Sequence, residues 1–217
     1  MSNWIGHSPF AQWLVEKTSP ELVVELGTFT GFSAEAFAIA MMGHGELHTI
    51  EMDKANIDMA KITLEEYKNA KVIHNEFDNV IDDYEDHSID ILHIDGDHMF
   101  KSVLNDAKKW IKKISLDGVL LMHDVFNPSF IGPLVVFSSL STPRVIFPKA
   151  LGLGVSTANT SLMREIHLKW YDEIVGQGVI GDMLNLWQIN GALVAALMEK
   201  AGIQQNNVEF VIDTKET

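Results

Sequence analysis

The chain of 217 residues contains no cysteine. Disulfides, thiolate metal sites and a cysteine nucleophile are all excluded by that absence. Basic residues are scarce too: 16 Lys and Arg stand against 30 Asp and Glu, a formal net charge of −14, with no basic stripe and no Lys/Arg cluster interleaved with aromatics. Binding to a polyphosphate backbone needs such a surface, so nucleic acid is not an expected substrate, and the acidity reads as solubility. Prolines number only six and hydrophobic residues reach 47%, which argues against extended disorder. The longest apolar run near the C-terminus, Ala192 to Met198, is far shorter than a membrane span. Met1 to Phe10 lacks a basic region followed by an apolar run, so no secretory signal and no membrane partner are expected, and a cytoplasmic location is. The length suits one domain with a sizeable core.

What is present begins with Val23-Val24-Glu25-Leu26-Gly27-Thr28-Phe29-Thr30-Gly31-Phe32-Ser33, an apolar strand entering a glycine-bearing turn and then a helical stretch. Strand, turn and helix in that order build a nucleotide-cofactor cradle. Gly27 lets the backbone approach a ligand with no Cβ in the way, and Gly31 lets the helix start close to the strand. The spacing is Gly-x-x-x-Gly, not the Gly-x-Gly-x-x-Gly that serves a pyrophosphate, which makes an NAD-binding dehydrogenase the poorer reading. Leu47-His48-Thr49-Ile50-Glu51-Met52-Asp53 supplies a second strand ending in carboxylates, about twenty residues on. There Glu51 is placed to accept hydrogen bonds from both hydroxyls of a ribose.

An α/β alternation runs along the chain. Helices are predicted over Pro9 to Lys17 with Ser8 as N-cap, Ser33 to Met42, Lys54 to Asn69 and Phe100 to Ile114. Strands are predicted over Leu22 to Leu26, Glu46 to Glu51, Lys71 to His74, Ile89 to Ile94, Gly118 to His123, Val145 to Phe147 and Leu153 to Val155. The acidic run Asp82-Asp83-Tyr84-Glu85-Asp86 reads as a solvated connection. His93 lies inside a strand and reads as a satisfied, partly buried histidine.

Five motifs in order carry a family resemblance: Trp4-Ile5-Gly6-His7-Ser8-Pro9-Phe10, the VELGTFTGFS turn, LHIDGDHMFKSVLNDAKKW from Leu92 to Trp110, DGVLLMHDV from Asp117 to Val125, and Leu151-Gly152-Leu153-Gly154-Val155. With them the chain resembles class I S-adenosylmethionine-dependent methyltransferases, of the group related to macrocin-type sugar O-methyltransferases, cephalosporin hydroxylase and the methyltransferase-like modules beside bacterial glycosyltransferases. The resemblance implies a Rossmann-like, doubly wound, seven-stranded, mostly parallel sheet with an antiparallel last strand. It implies a cofactor domain over residues 1–156, and an O-methyltransferase acting on a small-molecule or carbohydrate hydroxyl. A non-catalytic or oxygenase-like binding module associated with glycan biosynthesis is the alternative. S-adenosylmethionine is then expected on Glu25, Gly27, Thr28, Gly31, Ser33, Glu51, Met52, Asp78 and Asp95, with Phe77 as an apolar face for the adenine. His7 can cover the cofactor or touch substrate.

Asp95, Asp97, His98, His123 and Asp124 fall at or just beyond the C-terminal ends of two strands, the edge where ligands bind in such sheets. By resemblance Asp95, His123 and Asp124 are candidate ligands for a divalent cation. The histidine shifts the expectation from Mg²⁺ toward Mn²⁺, Fe²⁺ or Zn²⁺, or toward no metal. With a metal, Asp97 or His98 takes the acceptor's proton; without one, His98 or His123 does, because an imidazole titrates near neutral pH. Capping of the following helices or turns by Asp95 and Asp124 is the structural alternative.

Residues 157–217 lie beyond the resemblance and read as a helical extension. Arg164 to Val175 is a short helix. Asp182 to Ala201 is a longer one, apolar on more than one face, which points to a homo-oligomer interface or to a lid over the acceptor.

Overall fold

A computed structural model describes residues 3–175 of the chain. The helix expected over Asp182 to Ala201, and the oligomer interface read from it, lie outside the described residues. Among those described, no helix is long and apolar enough to cross a membrane.

After a 3-10 segment at Asn3–His7 the elements follow as α1 (Ser8–Thr18), β1 (Leu22–Leu26), α2 (Phe32–Ala40), β2 (Glu46–Glu51), α3 (Lys54–Thr63), β3 (Ala70–His74), α4 (Phe77–Val80), β4 (Ile89–Ile94), α5 (Phe100–Trp110), β5 (Ile114–His123), α6 (Gly132–Ser138), β6 (Arg144–Phe147), β7 (Leu153–Thr157), α7 (Thr160–Lys169) and α8 (Tyr171–Val175). The strands form one sheet in the order β3-β2-β1-β4-β5-β7-β6. Five run parallel, and β7 is antiparallel to both β5 and β6. This is the doubly wound, Rossmann-like sheet with an antiparallel last strand that the resemblance implies.

Period-2 alternation assigns the strand side chains to two cores. Val23, Ile91, Leu121 and Val155 pack with Trp4, Phe10, Leu14 and Phe37 on one face. Val24, Leu92, Leu120 and Met122 pack with Trp110, Val136 and Phe137 on the other. Strand order reverses direction between β1 and β4, the switch point at which such sheets open a crevice at the carboxyl ends of the strands.

Several boundaries differ from those predicted, each for a local reason. Ser8 is the first helical residue instead of the cap, with Pro9 beside it in the first turn, where no amide is needed. The third helix ends at Thr63, not Asn69, because the Asn69 carbonyl already accepts the Leu47 amide at the edge of β2 (2.8 Å). β5 begins at Ile114, four residues early: Ile114 pairs with Ile89 before a register shift realigns the strands. The acidic run is not wholly solvated, since Tyr84 is buried against Trp110 at 5.3 Å. The helix expected over Arg164 to Val175 is two helices broken at Trp170. Trp170 packs on Phe10, Trp13 and Phe147, so residues 160–175 share a core with the sheet.

Candidate active site

A cleft of about 550 Å³ opens where β1, β2, β4 and β5 end. Its first half is the loop between β1 and α2. Gly27 has φ 98°, and its amide donates to the Ile50 carbonyl (2.9 Å). A Cβ on Gly27 would lie 2.2 Å from the Asp95 carbonyl oxygen. The glycine is therefore demanded by the end of β4, and it also lines the cleft, where the sequence placed it. Gly31 (φ 88°) precedes α2 and faces Thr63 and Ala60 of α3, away from the cleft lining.

Glu51 lines the cleft and is held by three backbone amides: Met52 and Asp53 donate to Oε1 (both 2.9 Å), and Phe29 donates to Oε2 (3.0 Å). The carboxylate thus fixes the loop as well as facing the cleft. Thr28, Ser33 and Met52 line the same half. Glu25 does not. It is fully buried, accepting from Ser33 Oγ, Thr49 Oγ1 and His93 Nδ1, the last at 3.0 Å. Trp4 Nε1 donates to His93 Nε2 (3.2 Å), which fixes the proton on Nδ1. His93 is thus satisfied, as read, but fully buried. Asp78 is likewise outside the lining: α4 turns it toward α5, where Lys109 pairs with it at 2.7 Å and Asn105 donates at 3.4 Å. Its neighbour Phe77 does line the cleft.

The second half gathers ionisable groups. His98 Nε2 lies 2.8 Å from Asp124 Oδ2 and 3.4 Å from Asp95 Oδ1. His123 Nδ1 approaches the same carboxylates from the buried side, 3.4 Å from Asp95 and 3.5 Å from Asp124. Hydrogen bonds that His98 donates to Asp124 and Asp95 raise it to about 9. Burial opposes the protonation of His123, but the bond and charge of Asp95 outweigh it and raise it too. Burial also pushes Asp95 up, yet its two histidine partners hold it well below the usual carboxylate range. His98 is thus held above the near-neutral range that the sequence suggested, and His123 is shifted in the same direction. Asp97 is exposed and occupied in capping: it accepts from the Met99 amide (3.0 Å) and from Ser102 Oγ (2.6 Å) at the start of α5. That leaves it poorly placed as a base.

Ligand atoms of Asp95, His98 and Asp124 lie within 4.8 Å of one another, which groups His98 with the two carboxylates in the place expected of His123. Asp124 Oδ1 is buried with no hydrogen-bond partner, and Asp124 itself sits at φ 58° in the left-handed region at the end of β5. An O,N,O donor set with an unsatisfied oxygen fits a divalent cation of the Mn²⁺, Fe²⁺ or Zn²⁺ kind. His98 must first lose its proton to serve as a ligand.

Behind these groups sits His7, 2% exposed, its ring 5.5 Å from that of His123. Burial and the nearby His123 lower it to about 4, so it is neutral. Nε2 of both rings is buried without a hydrogen-bond partner. Residues that sequence reasoning gave no role include Trp4 and Phe29, which line the cleft, and Phe130, whose ring stacks on His98 at 5.3 Å. The motif containing Trp4 was a signal for it; Phe130, beyond the last strand-end motif, carried none.

Known proteins show the same architecture. Residues 24–125 match the family model described as a methyltransferase domain. An uncharacterised protein, y4gI, of Sinorhizobium fredii is 34% identical over 172 residues, covering 71% of this chain but only 19% of its own length. The chain thus spans about a fifth of that relative. Cofactor-bound Rv0187 from MTB superposes with a TM-score of 0.61 at 14% identity, covering 70% of this chain and 79% of that one. The O-methyltransferase from Bacillus cereus in complex with SAH gives 0.56 at 14% identity, covering 70% and 80%. The match over residues 24–125 and the superposition on these structures make the chain similar to methyltransferase domains in sequence and in fold.

Proposed function

We propose that this domain transfers the methyl group of S-adenosylmethionine to a hydroxyl oxygen of a small-molecule or carbohydrate acceptor. One observation carries the reading: a cradle with a loop-fixed carboxylate, Glu51, and a coupled Asp95–His98–Asp124 group share one cleft. A sulfonium methyl is already activated, so the protein has only to align an oxygen with it, take the oxygen's proton and exclude water. Glu51 is the ribose partner in this reading, Thr28 and Met52 flank the nucleoside, and Asp95 stands between the two halves. The structures named above, with cofactor or SAH bound, support the choice of ligand.

Asp95, His98 and Asp124 would hold a divalent cation, which when bound lowers the pKa of a coordinated hydroxyl. Without one, His98 is a cation between two carboxylates and accepts a proton only once deprotonated. Metal-free transfer should therefore rise with pH toward about 9. The test is calorimetry with S-adenosylmethionine combined with transfer assays on Asp95→Ala and Asp124→Asn. Both variants should keep cofactor affinity within a few-fold and lose at least a hundredfold in transfer. Full activity in both would remove this cluster from the chemistry. Activity that survives chelation and dialysis would assign the proton to a histidine instead of a metal-bound path.

A further inference from the structure

Ionisable side chains lining the cleft are Glu51, Asp95, Asp97, Asp124, His98 and His123, and no Lys or Arg joins them among the described residues. Four carboxylates face two imidazoles. His98 and His123 each direct a ring nitrogen at Asp95 and Asp124, so their charge is neutralised within the cluster. At the start of α5 the Asp97 carboxylate already accepts the Met99 amide, which places a negative charge where an anion would otherwise approach the helix. A divalent cation on Asp95, His98 and Asp124 would offset the two carboxylates of that corner and leave Glu51 and Asp97 uncompensated. Around the cleft the whole chain carries −14, a field that repels anions at long range.

The rim is as apolar as the floor is acidic. Phe130, 38% exposed, lies nearly parallel to the His98 ring, with 27° between the planes. Met99, the residue after His98, is 60% exposed, and Phe29 on the opposite loop is 64% exposed. Exposed large apolar side chains beside a cleft mark the surface a ligand covers. The Phe130 face, held by its stack on His98, suits a flat body whose hydroxyl points at Asp124.

Building on the methyl-transfer reading, we infer that the acceptor is an uncharged or cationic molecule with a flat apolar face, and that phosphorylated, carboxylated and nucleotide-linked acceptors are rejected. Rejection follows from two terms: an anion finds no cationic side chain to replace its hydration, and it meets the uncompensated carboxylates.

The test uses the full chain and three probes: 2-naphthol, 6-hydroxy-2-naphthoate, which differs by one carboxylate, and methyl glucoside, which is neutral but lacks a flat apolar face. Ligand-observed NMR titration at low ionic strength reads affinity with and without S-adenosylmethionine. Naphthol should bind at least tenfold more tightly than the naphthoate, and the gap should narrow as salt is raised. Glucoside should bind more weakly than naphthol. Phe130→Ala should lower naphthol affinity several-fold and leave the carboxylate penalty in place, whereas Met99→Lys should shrink that penalty. Equal or tighter naphthoate binding, or glucoside as the best ligand, overturns the inference. The measurements without cofactor keep the two proposals separable. Failure of S-adenosylmethionine to bind while naphthol discrimination holds defeats methyl transfer alone, and cofactor binding with a preference for naphthoate defeats the selectivity alone.

Discussion

The two halves of the cleft are built on opposite principles. On the cofactor half the carboxylate is fully partnered, with Glu51 taking three backbone amides, and behind it the buried Glu25 takes two hydroxyls and an imidazole. On the acceptor half the groups share partners and leave some atoms unpaired, including Nε2 of His7 and of His123 and Oδ1 of Asp124. A saturated network is rigid and expensive to break, while an incompletely satisfied one keeps hydrogen-bonding capacity for something that arrives. In the proposed methyl-transfer reading, binding geometry is assigned to the first half and reactivity to the second.

The largest expected effect comes from the residue that joins the halves. In Gly27→Val the new Cβ meets the Asp95 backbone at 2.2 Å and the φ of 98° is closed to a β-branched residue. The neighbour is strand backbone and cannot swing aside, so the variant should fail to fold, with the loss exceeding about 4 kcal/mol. A folded valine variant, seen as an unshifted denaturation midpoint, would mean that β1 and β4 do not approach as described. Next in size is Glu25→Ala. It strands Ser33, Thr49 and His93 in a dry interior and should cost about 3–5 kcal/mol in chemical unfolding, the scale of breaking a buried charged network. A loss below about 1 kcal/mol would show that the cofactor half is not locked as its hydrogen bonds indicate.

Much of this was legible beforehand, and the residues show why some was not. Strands β1, β2 and β4 read off to the residue, because apolar runs bounded by turn formers leave little choice. The ends of α3 and α5 did not, because sheet pairing at Asn69 and Ile114 overrode helix propensity. α6 was missed: Gly132-Pro133 reads as a turn, and a seven-residue helix gives almost no periodic signal. In the site, the strand-end carboxylates Glu51, Asp95 and Asp124 were found from position alone. Glu25 was misplaced because which way a buried carboxylate turns depends on Ser33 and Thr49, supplied by other elements. Asp78 was misplaced because a single turn of α4 directs it to Lys109, 31 residues away. His98 and not His123 groups with the two carboxylates because the loop after β4 brings it over the strand ends, a tertiary fact with no local signature.

Glu51→Ala should sharpen the comparison at a smaller scale. Loss of a charged hydrogen-bond acceptor should weaken S-adenosylmethionine binding by about 1–3 kcal/mol. Since the same carboxylate holds the Phe29, Met52 and Asp53 amides, the variant should also lose stability in the ligand-free state. Glu51→Gln keeps acceptors for some of these bonds and should recover more stability than affinity. Calorimetry and denaturation on the pair separate the roles; equal recovery of both would make Glu51 a loop clamp alone.

The smallest expected effect is a pH dependence of stability confined to the acceptor half. His98 is raised from 6.5 to about 9 in the fold by Asp124 and Asp95, so its contribution is complete below pH 6.5 and is lost as pH rises toward 9. His7 runs the other way. Burial holds it near 4, so between pH 6.5 and 4 the unfolded chain takes up a proton that the folded chain refuses, and stability falls as pH falls. Together they place a maximum near pH 6.5, with each limb on the order of 1–2 kcal/mol after allowing for relaxation of partly solvated groups. Asp106, raised by burial to about 6, adds a decline from its unfolded value of 3.8 up to that pH, so variants must be read as difference profiles against the parent. His98→Gln should reduce the alkaline limb to the part that the raised His123 supplies, and His7→Phe should flatten the acid limb only. Asp124→Asn should weaken the alkaline limb while costing under about 1 kcal/mol near pH 9, because asparagine tolerates the left-handed φ of 58° and Oδ1 has no hydrogen bond to lose. Urea titrations from pH 4.5 to 9.5 on the four proteins read these limbs directly. A parent profile that stays flat above pH 7 would mean that His98 is not held as a cation between Asp95 and Asp124.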